Sequence, residues 1–546
     1  MKTAYVSGYN PTTGEWNDSL TGDYLWSSVN TREAVPDVMT PYTWSALRHS
    51  FDNMIMLPGY PPVGNICGRA YNNGSVGATA FRALGLKTFD AASAELYGID
   101  SNSVGEWDVP IISYGFTDRL LVFRNALNIM SAVRKMLKNM EAQIAGNSAW
   151  CEAERRRVHE RSREELLDWA QTFLYPKFIE CFWWMVSPAM SQSDVVSKLR
   201  RDLLKRVGAE DTVALLSNVS GEEDLLASLG PVVSLDRVRR GLMSREEYIL
   251  QYGHRCPHEA EMSLPRPAEN PTWIEEQIEG LSQSPSDVDA LLAEQRAKYE
   301  VALGRLVKSS PRDYDSLLKR LKEAARLTLL REKGRSESIR LVWVAREFAL
   351  RVGQVTDLGD DIFFLEYDEV IELLEGQKRN VAYIPARRET YQKYCALPPY
   401  PTIIVGRFDP FAWAADPNHP TDIYDPKQRI KKQFTNTIKG LPGSAGVAQG
   451  RVRVLNSPEE GAQFQPGEIL VAVTTNVGWT PIFPRAAAVV TDVGAPLSHA
   501  AIVARELGIP AVVGCFNATT VLKTGDRVRV NGSTGMVEVI ERAGRL

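Results

Sequence analysis

The sequence predicts an α+β protein of several domains, mainly helical through its middle and β/α at its C-terminal end. Three observations predict it. A chain of 546 residues exceeds what one core of ordinary size encloses, so at least two domains are expected. Between about 115 and 375 apolar residues recur at helical spacing, the mark of helices that bury one face. After the LPGSAG segment at 441–446 the texture turns to short β-rich runs around one helical stretch, the pattern of a compact domain of about a hundred residues. The expected division is therefore 1–430, a linker at 431–440 and a C-terminal domain at 441–546.

Residues 1 to about 110 are rich in Gly, Pro, Asn and aromatics, so an irregular or α+β region is expected there. Helices follow over the stretches 116–137, 161–186 and 286–307, with Thr117, Ser162 and Ser286 or Asp287 as capping residues. The run 152–168 alternates in sign at pairing distance and reads as a solvated helix face. Pro-rich breaks at 257–271 and 398–420 read as wrapped surface segments. In the C-terminal domain, strands are expected at GRVRVL, EILVAV, AAVVTD, PAVVG, RVRVNG and MVEVI, with a helix at HAAIVAREL. The run from Gln428 to Ser444 is the expected hinge, with Gly440, Pro442, Gly443 and Gly446 in or beside it to absorb dihedral changes.

Lys and Arg number 63 against 67 Asp and Glu, so no broad positive field exists to hold nucleic acid or an anionic membrane. Neither a signal-type apolar region nor an apolar run of bilayer length is present, and a cytoplasmic location is expected. The six cysteines are scattered without a CxxC pair, which signals neither a disulfide framework nor a metal site.

The most informative stretch is TDVGAPLSHAAIVARELGIPAVVG, 491–514. An apolar run leads into Thr491, a Gly/Pro turn follows through Gly494 and Pro496, and Ser498 stands where an N-cap belongs. His499 then falls in the first turn of an Ala-rich helix closed by Gly508 and Pro510. Free N–H groups and the positive dipole end at such a position favour an anionic phosphoryl group and a neutral, nucleophilic imidazole. A histidine at a helix start is, by itself, more often a cap or a satisfied surface residue. The whole string, however, resembles the signature of the mobile phosphohistidine domain of phosphoenolpyruvate-utilising enzymes, pyruvate phosphate dikinase among them. The resemblance spans about 441–546 and implies that His499 is the phosphoryl carrier. It also implies that Thr491, Gly494, Ser498 and Arg505 support the phosphoimidazole, with Glu506 at a further matching position. Ala495 departs from the pattern, standing where a second glycine is usual.

Upstream, the segments 22–47, 68–73, 253–267 and 330–370 resemble, in order, the acceptor-binding domain of rifampin phosphotransferase and of the phenylphosphate synthase group, including the 4-cresol phosphate synthase type. That resemblance implies an ATP-dependent, dikinase-type phosphotransferase acting on a small phenolic acceptor such as phenol or 4-cresol. Neither a Gly-rich ATP-grasp segment in 1–430 nor a following barrel is found, so ATP and Mg2+ are expected on a separate ATP-grasp nucleotide-binding subunit. The alternatives are rifampin-type antibiotic phosphorylation, or a phosphocarrier or regulatory role.

Four apart on an expected helix, Arg331 and Arg335 project from one face and could clamp one phosphate; the resemblance gives the pair that role. The alternative is a surface pair bonded to Glu332 or Glu337. His254 is the candidate base for the acceptor hydroxyl, since the ordinary histidine pKa of about 6.5 suits proton transfer; a buried loop histidine is the competing reading. Tyr42, Trp44, Trp183 and Trp184 are candidates to line an aromatic acceptor pocket, against the commoner reading of such residues as core.

Overall fold

The computed structural model of the protein describes residues 7–86, 109–217, 229–270, 272–282, 288–417, 419–427, 436–496 and 498–544. Its fold is α+β and multidomain. The chain divides into two compact units: Met1–Pro188, His258–Pro265 and Gly334–Arg429 form the first, and Ala189–Pro257, Arg266–Lys333 and Ile430–Leu546 the second.

In the first unit, strands β1 (Leu25–Ser27), β2 (Val63–Ile66), β3 (Arg69–Asn73), β4 (Ile403–Val405) and β5 (Ile423–Tyr424) form a sheet ordered β2-β3-β1-β4-β5. β4 pairs antiparallel with β1 through Trp26↔Ile404, although it lies inside the Pro-rich stretch expected to be surface wrapping. Its β-branched run Ile403-Ile404-Val405 is what the flanking prolines hid, and Ile404 joins Trp26, Tyr71, Tyr400 and Phe408 in one core cluster. The other Pro-rich stretch also departs from expectation: Glu259, Glu261 and Arg266 are buried.

Helices of this unit follow their capping chemistry. Thr40 accepts from Thr43 N and Pro41 opens the helix Pro41–Phe51, while the buried Glu261 carboxylate receives Thr40 N and both threonine hydroxyls, each at 3.0 Å. Ser162 caps Arg163–Trp169 in a reciprocal box with Glu165, as its sequence indicated. The helix Phe116–Ala145 starts earlier than expected, with Gly115 at the cap and Asp118 accepting from Gly115 N at 2.8 Å, so Thr117 lies in the first turn. Ser286 and Asp287 lie outside the described residues. The charged run 152–168 is not wholly solvated: Glu154 is buried and bonded by Arg161 at 2.6 Å, and Arg155 stacks on Trp343.

In the second unit, β6 (Thr437–Lys439), β7 (Leu441–Ser444), β8 (Val447–Val454), β9 (Ile469–Ala472), β10 (Ala488–Thr491), β11 (Ala511–Val513), β12 (Arg527–Asn531) and β13 (Met536–Glu541) form a sheet ordered β6-β13-β12-β8-β9-β10-β11-β7. The centre, β8-β9-β10-β11, is parallel. Along these strands, Leu470, Ala472, Val489, Ala511 and Val513 enter one core and Ile469, Val471, Ala488, Val490 and Val512 another. Burial on both faces is why the strands read as continuous apolar runs. The first core also takes Ala500, Ala501, Val503, Ala504 and Leu507 of the helix His499–Leu507, together with Leu229, Val232, Val233, Tyr248, Ile274 and Leu292 from helices upstream. The C-terminal domain is thus packed on helices of its own unit.

Strands β6 and β7 correct the expected linker. Thr437–Lys439 pairs with β13, and Leu441 and Pro442 pair with β11. Gly440 and Gly443 are packing positions: an added Cβ would sit 2.7 Å from Cys515 Sγ at the first and 3.0 Å from Ala511 O at the second. Residues 428–435 of the expected hinge lie outside the described residues.

Candidate phosphohistidine site

β10 ends at Thr491, and the loop after it leads into the helix that His499 opens. Ends of parallel strands facing a helix N-terminus are where α/β sheets place anionic ligands. The loop is pinned: Cys515 N donates to Thr491 O at 2.9 Å, Phe516 N to Asp492 O at 2.8 Å and Ser498 N to Ala495 O at 2.9 Å. Gly494, at φ +152, is required here. A Cβ on it would stand 3.0 Å from Ser498 Oγ and 3.3 Å from Thr491 Oγ1, so both hydroxyls converge on the space that glycine leaves.

Those hydroxyls are buried and make no hydrogen bond among the described residues. Ser498 occupies the N-cap position without capping, so no side chain closes the helix start. Unmade hydrogen bonds at buried groups cost about 1–3 kcal/mol each. Two orphan hydroxyls at an uncapped helix end therefore form a cradle that a phosphoryl group would complete.

The His499 ring is held on both sides. Nδ1 lies 3.2 Å from Thr475 Oγ1 and Nε2 3.3 Å from Thr480 Oγ1, with Phe483 edge-on at 6.0 Å. A hydroxyl can donate or accept, so the two threonines fit either tautomer of a neutral imidazole. Sequence reading missed both, since they lie 24 and 19 residues upstream and no local spacing marks them. His499 is only 5% exposed. Next to Thr475, Asn476 Nδ2 donates to Pro257 O at 2.6 Å, and Gly478 is needed because a Cβ would meet Pro257 Cγ at 2.5 Å.

Other candidates fall elsewhere. Arg505 lies six residues along the helix from the ring, about 9 Å by helical rise, and donates to Gly443 O at 2.7 Å; burial and nearby Arg200 lower its pKa to about 10. Glu506 is buried beyond it, and desolvation with facing Glu332 raises its carboxyl well above the usual range, against Arg505. His254 is fully buried, three residues before Pro257. Arg331 donates to Gln192 Oε1 at 3.3 Å. Arg335 is neutralised by Glu259 at 3.0 Å and Glu33 at 3.5 Å, neither of the partners expected from sequence; Glu337 instead pairs with Arg340 at 3.0 Å.

The aromatic candidates are mostly packing residues. Tyr42, Trp44 and Trp184 have no exposed surface. Tyr42 Oη donates to Ala345 O, Trp44 packs edge-on against Trp16, and Trp183 packs edge-on against Phe182. The cavity at Trp44 measures about 20 Å³, room for about one water. A larger cavity in the first unit, about 490 Å³, is lined by Trp150, Phe173, Asn147, Lys177 and Glu180. Sequence reading did not single these residues out.

This geometry agrees with comparison to known families. Residues 464–535 match the PEP-utilising enzyme mobile domain, so the C-terminal part of the chain is a mobile domain of the phosphoenolpyruvate-utilising enzymes. More particularly, residues 188–332 match the rifampicin phosphotransferase fourth domain, and those residues nearly coincide with the helical part of the second unit. The chain is 30% identical to rifampicin phosphotransferase of Bacillus subtilis over 308 residues, 54% of this chain and 34% of that protein. It is 36% identical to the Bacillus cereus enzyme of that name over 181 residues, 33% of this chain and 19% of that one. An uncharacterised protein of Mycobacterium tuberculosis is 34% identical over 303 residues, 53% of this chain and 30% of that protein. The chain spans about a third or less of the length of these relatives. No helix among the described residues is long and apolar enough to cross a membrane.

Proposed function

We propose that this chain is the phosphohistidine component of an ATP-dependent phosphotransferase that passes a phosphoryl group through His499 to the hydroxyl of a small phenolic acceptor. One observation carries the reading: a histidine between two threonines, at an uncapped helix start beside the orphan hydroxyls of Thr491 and Ser498. The ring nitrogen lacking a proton attacks phosphorus and the bond to the nucleotide oxygen breaks. Charge gathers on the phosphoryl oxygens, where first-turn N–H groups and the two hydroxyls receive it. The acceptor oxygen then attacks, the P–N bond breaks, and a base takes the hydroxyl proton. His254 remains our candidate for that base. Arg331 and Arg335 remain the proposed clamp for the phosphoryl oxygens, and Arg335 must first leave Glu259 and Glu33 to serve in it.

At 5% exposure His499 cannot meet a nucleotide where it lies, so the mobile domain must leave its helices to be charged. ATP and Mg2+ are assigned to a separate ATP-grasp subunit, in the cytoplasm. A second reading, phosphorylation of a rifampin-type hydroxyl, is favoured by the relatives' names. The test supplies labelled ATP and an ATP-grasp partner, with 4-cresol, phenol or rifampin as acceptor. Acid-labile label on His499 that chases to 4-cresol supports the proposal, and chase only to rifampin selects the second reading. Label on His499 without any partner would overturn the two-subunit arrangement, and a His499→Gln variant that still turns over would overturn the carrier.

A further inference from the structure

On the helix Phe116–Ala145, five large apolar side chains face solvent. Phe116 is 76% exposed, Leu120 55%, Phe123 56%, Leu127 51% and Met130 50%. Their spacing is 4, 3, 4, 3 (read from the sequence), the heptad alternation of a coiled-coil seam. The helix does not need this stripe to hold its place. Its buried side chains Val122, Ile129 and Val133 project about 120° away around the axis at about 100° per residue, and Val122 packs with Leu57, Val76 and Ala80 of the first unit. An exposed apolar row of this length marks an interaction surface.

The flanks say what covers it. Taking Leu120 and Leu127 as a positions and Phe116, Phe123 and Met130 as d positions, the exposed Arg119 falls at g and the exposed Arg124 at e. Beyond Met130 the same face continues as Arg134 and Lys138 before Glu141 ends the cationic run, and the one earlier acid of the helix, Asp118, projects elsewhere. A second copy is disfavoured, because parallel pairing would set Arg119 against Arg124 of the other helix and antiparallel pairing would also oppose like cations. The seam is narrow, unlike the broad apolar face of a helix lying in a lipid surface. We infer that this face docks an amphipathic helix of a partner protein, with apolar residues at heptad spacing flanked by Glu or Asp.

The test uses two labelled three-heptad peptides with Leu at a and d, one with Glu and the other with Lys at e and g; like flanks keep each from pairing with itself. Fluorescence anisotropy should give saturable binding of the Glu peptide to the full chain, roughly tenfold or more tighter than the Lys peptide, and weakened by salt. Leu120→Glu with Leu127→Glu should abolish it while circular dichroism stays unchanged. Equal affinity for both peptides, or binding of neither, overturns the inference. So does concentration-dependent dimerisation of the chain that the double variant abolishes, which would make the occupant a second copy. Co-sedimentation with phosphatidylcholine/phosphatidylserine vesicles that the double variant abolishes would assign the face to lipid and overturn it equally.

Discussion

Two polar clusters in this protein are buried to similar depth and are wired in opposite ways. Around Arg335 every strong charge meets another: Glu259 and Glu33 neutralise the guanidinium. Around His499 the ring is held, yet Thr491 and Ser498 end in hydroxyls with no partner. A cluster that serves stability closes its own hydrogen bonds, whereas one shaped for a ligand leaves them open until the ligand arrives. Both clusters lie in segments that sequence reading marked as functional, and only the pattern of satisfaction separates them.

The sharpest way to break the contrast is to replace both orphan hydroxyls. Thr491→Ala with Ser498→Ala should slow phosphorylation of His499 roughly a hundredfold, measured as single-turnover labelling. The melting temperature should hold or rise, since no hydrogen bond is lost and two unpartnered buried hydroxyls are removed. A large fall in stability with normal labelling would make these residues structural. The converse change is Glu259→Gln, which leaves Arg335 under-neutralised. It should cost about 3 kcal/mol in denaturant unfolding, with labelling of His499 in the surviving folded protein unchanged. Comparable loss of labelling would draw Arg335 into the chemistry.

A smaller effect tests the helix that His499 opens. Glu506 is buried without a hydrogen-bond partner among the described residues, and burial with Glu332 opposite raises its carboxyl, against Arg505. A raised carboxyl keeps its proton to higher pH in the fold than in the unfolded chain. Its stabilising contribution is therefore full below about pH 4.3 and is lost as pH rises through the folded value. Glu506→Gln should remove that loss and raise the melting temperature at pH 8 by about 2–4 °C, with little change at pH 4. Equal shifts at both pH values would show that the carboxyl does not titrate in this range.

The comparison also shows what a sequence carries. The central strands, the helix at His499 and the glycine turn before it were legible because each is written in adjacent residues: a two-sided apolar run, a capping position, a left-handed glycine. Strands β4, β6 and β7 were not, because prolines and glycines surround or enter them and only pairing with distant strands makes them strands. Thr475 and Thr480 were invisible for the same reason, reaching His499 across a crossover. Tyr42, Trp44 and Trp184 show the reverse error: an aromatic facing inward on a helix has the same spelling whether it fills a core or lines a cavity, and burial alone decides.

The close wrapping of His499 bears finally on time. A phosphoramidate bond left in bulk water hydrolyses, so a carrier that waited exposed between donor and acceptor would leak. With Thr475, Thr480 and Phe483 around the ring and almost no solvent reaching it, a phosphoryl group carried on His499 as proposed would be shielded from that idle reaction. Under the proposed carrier role, the interval between charging and discharge is set by the opening of this wrapping rather than by the lifetime of the bond in water.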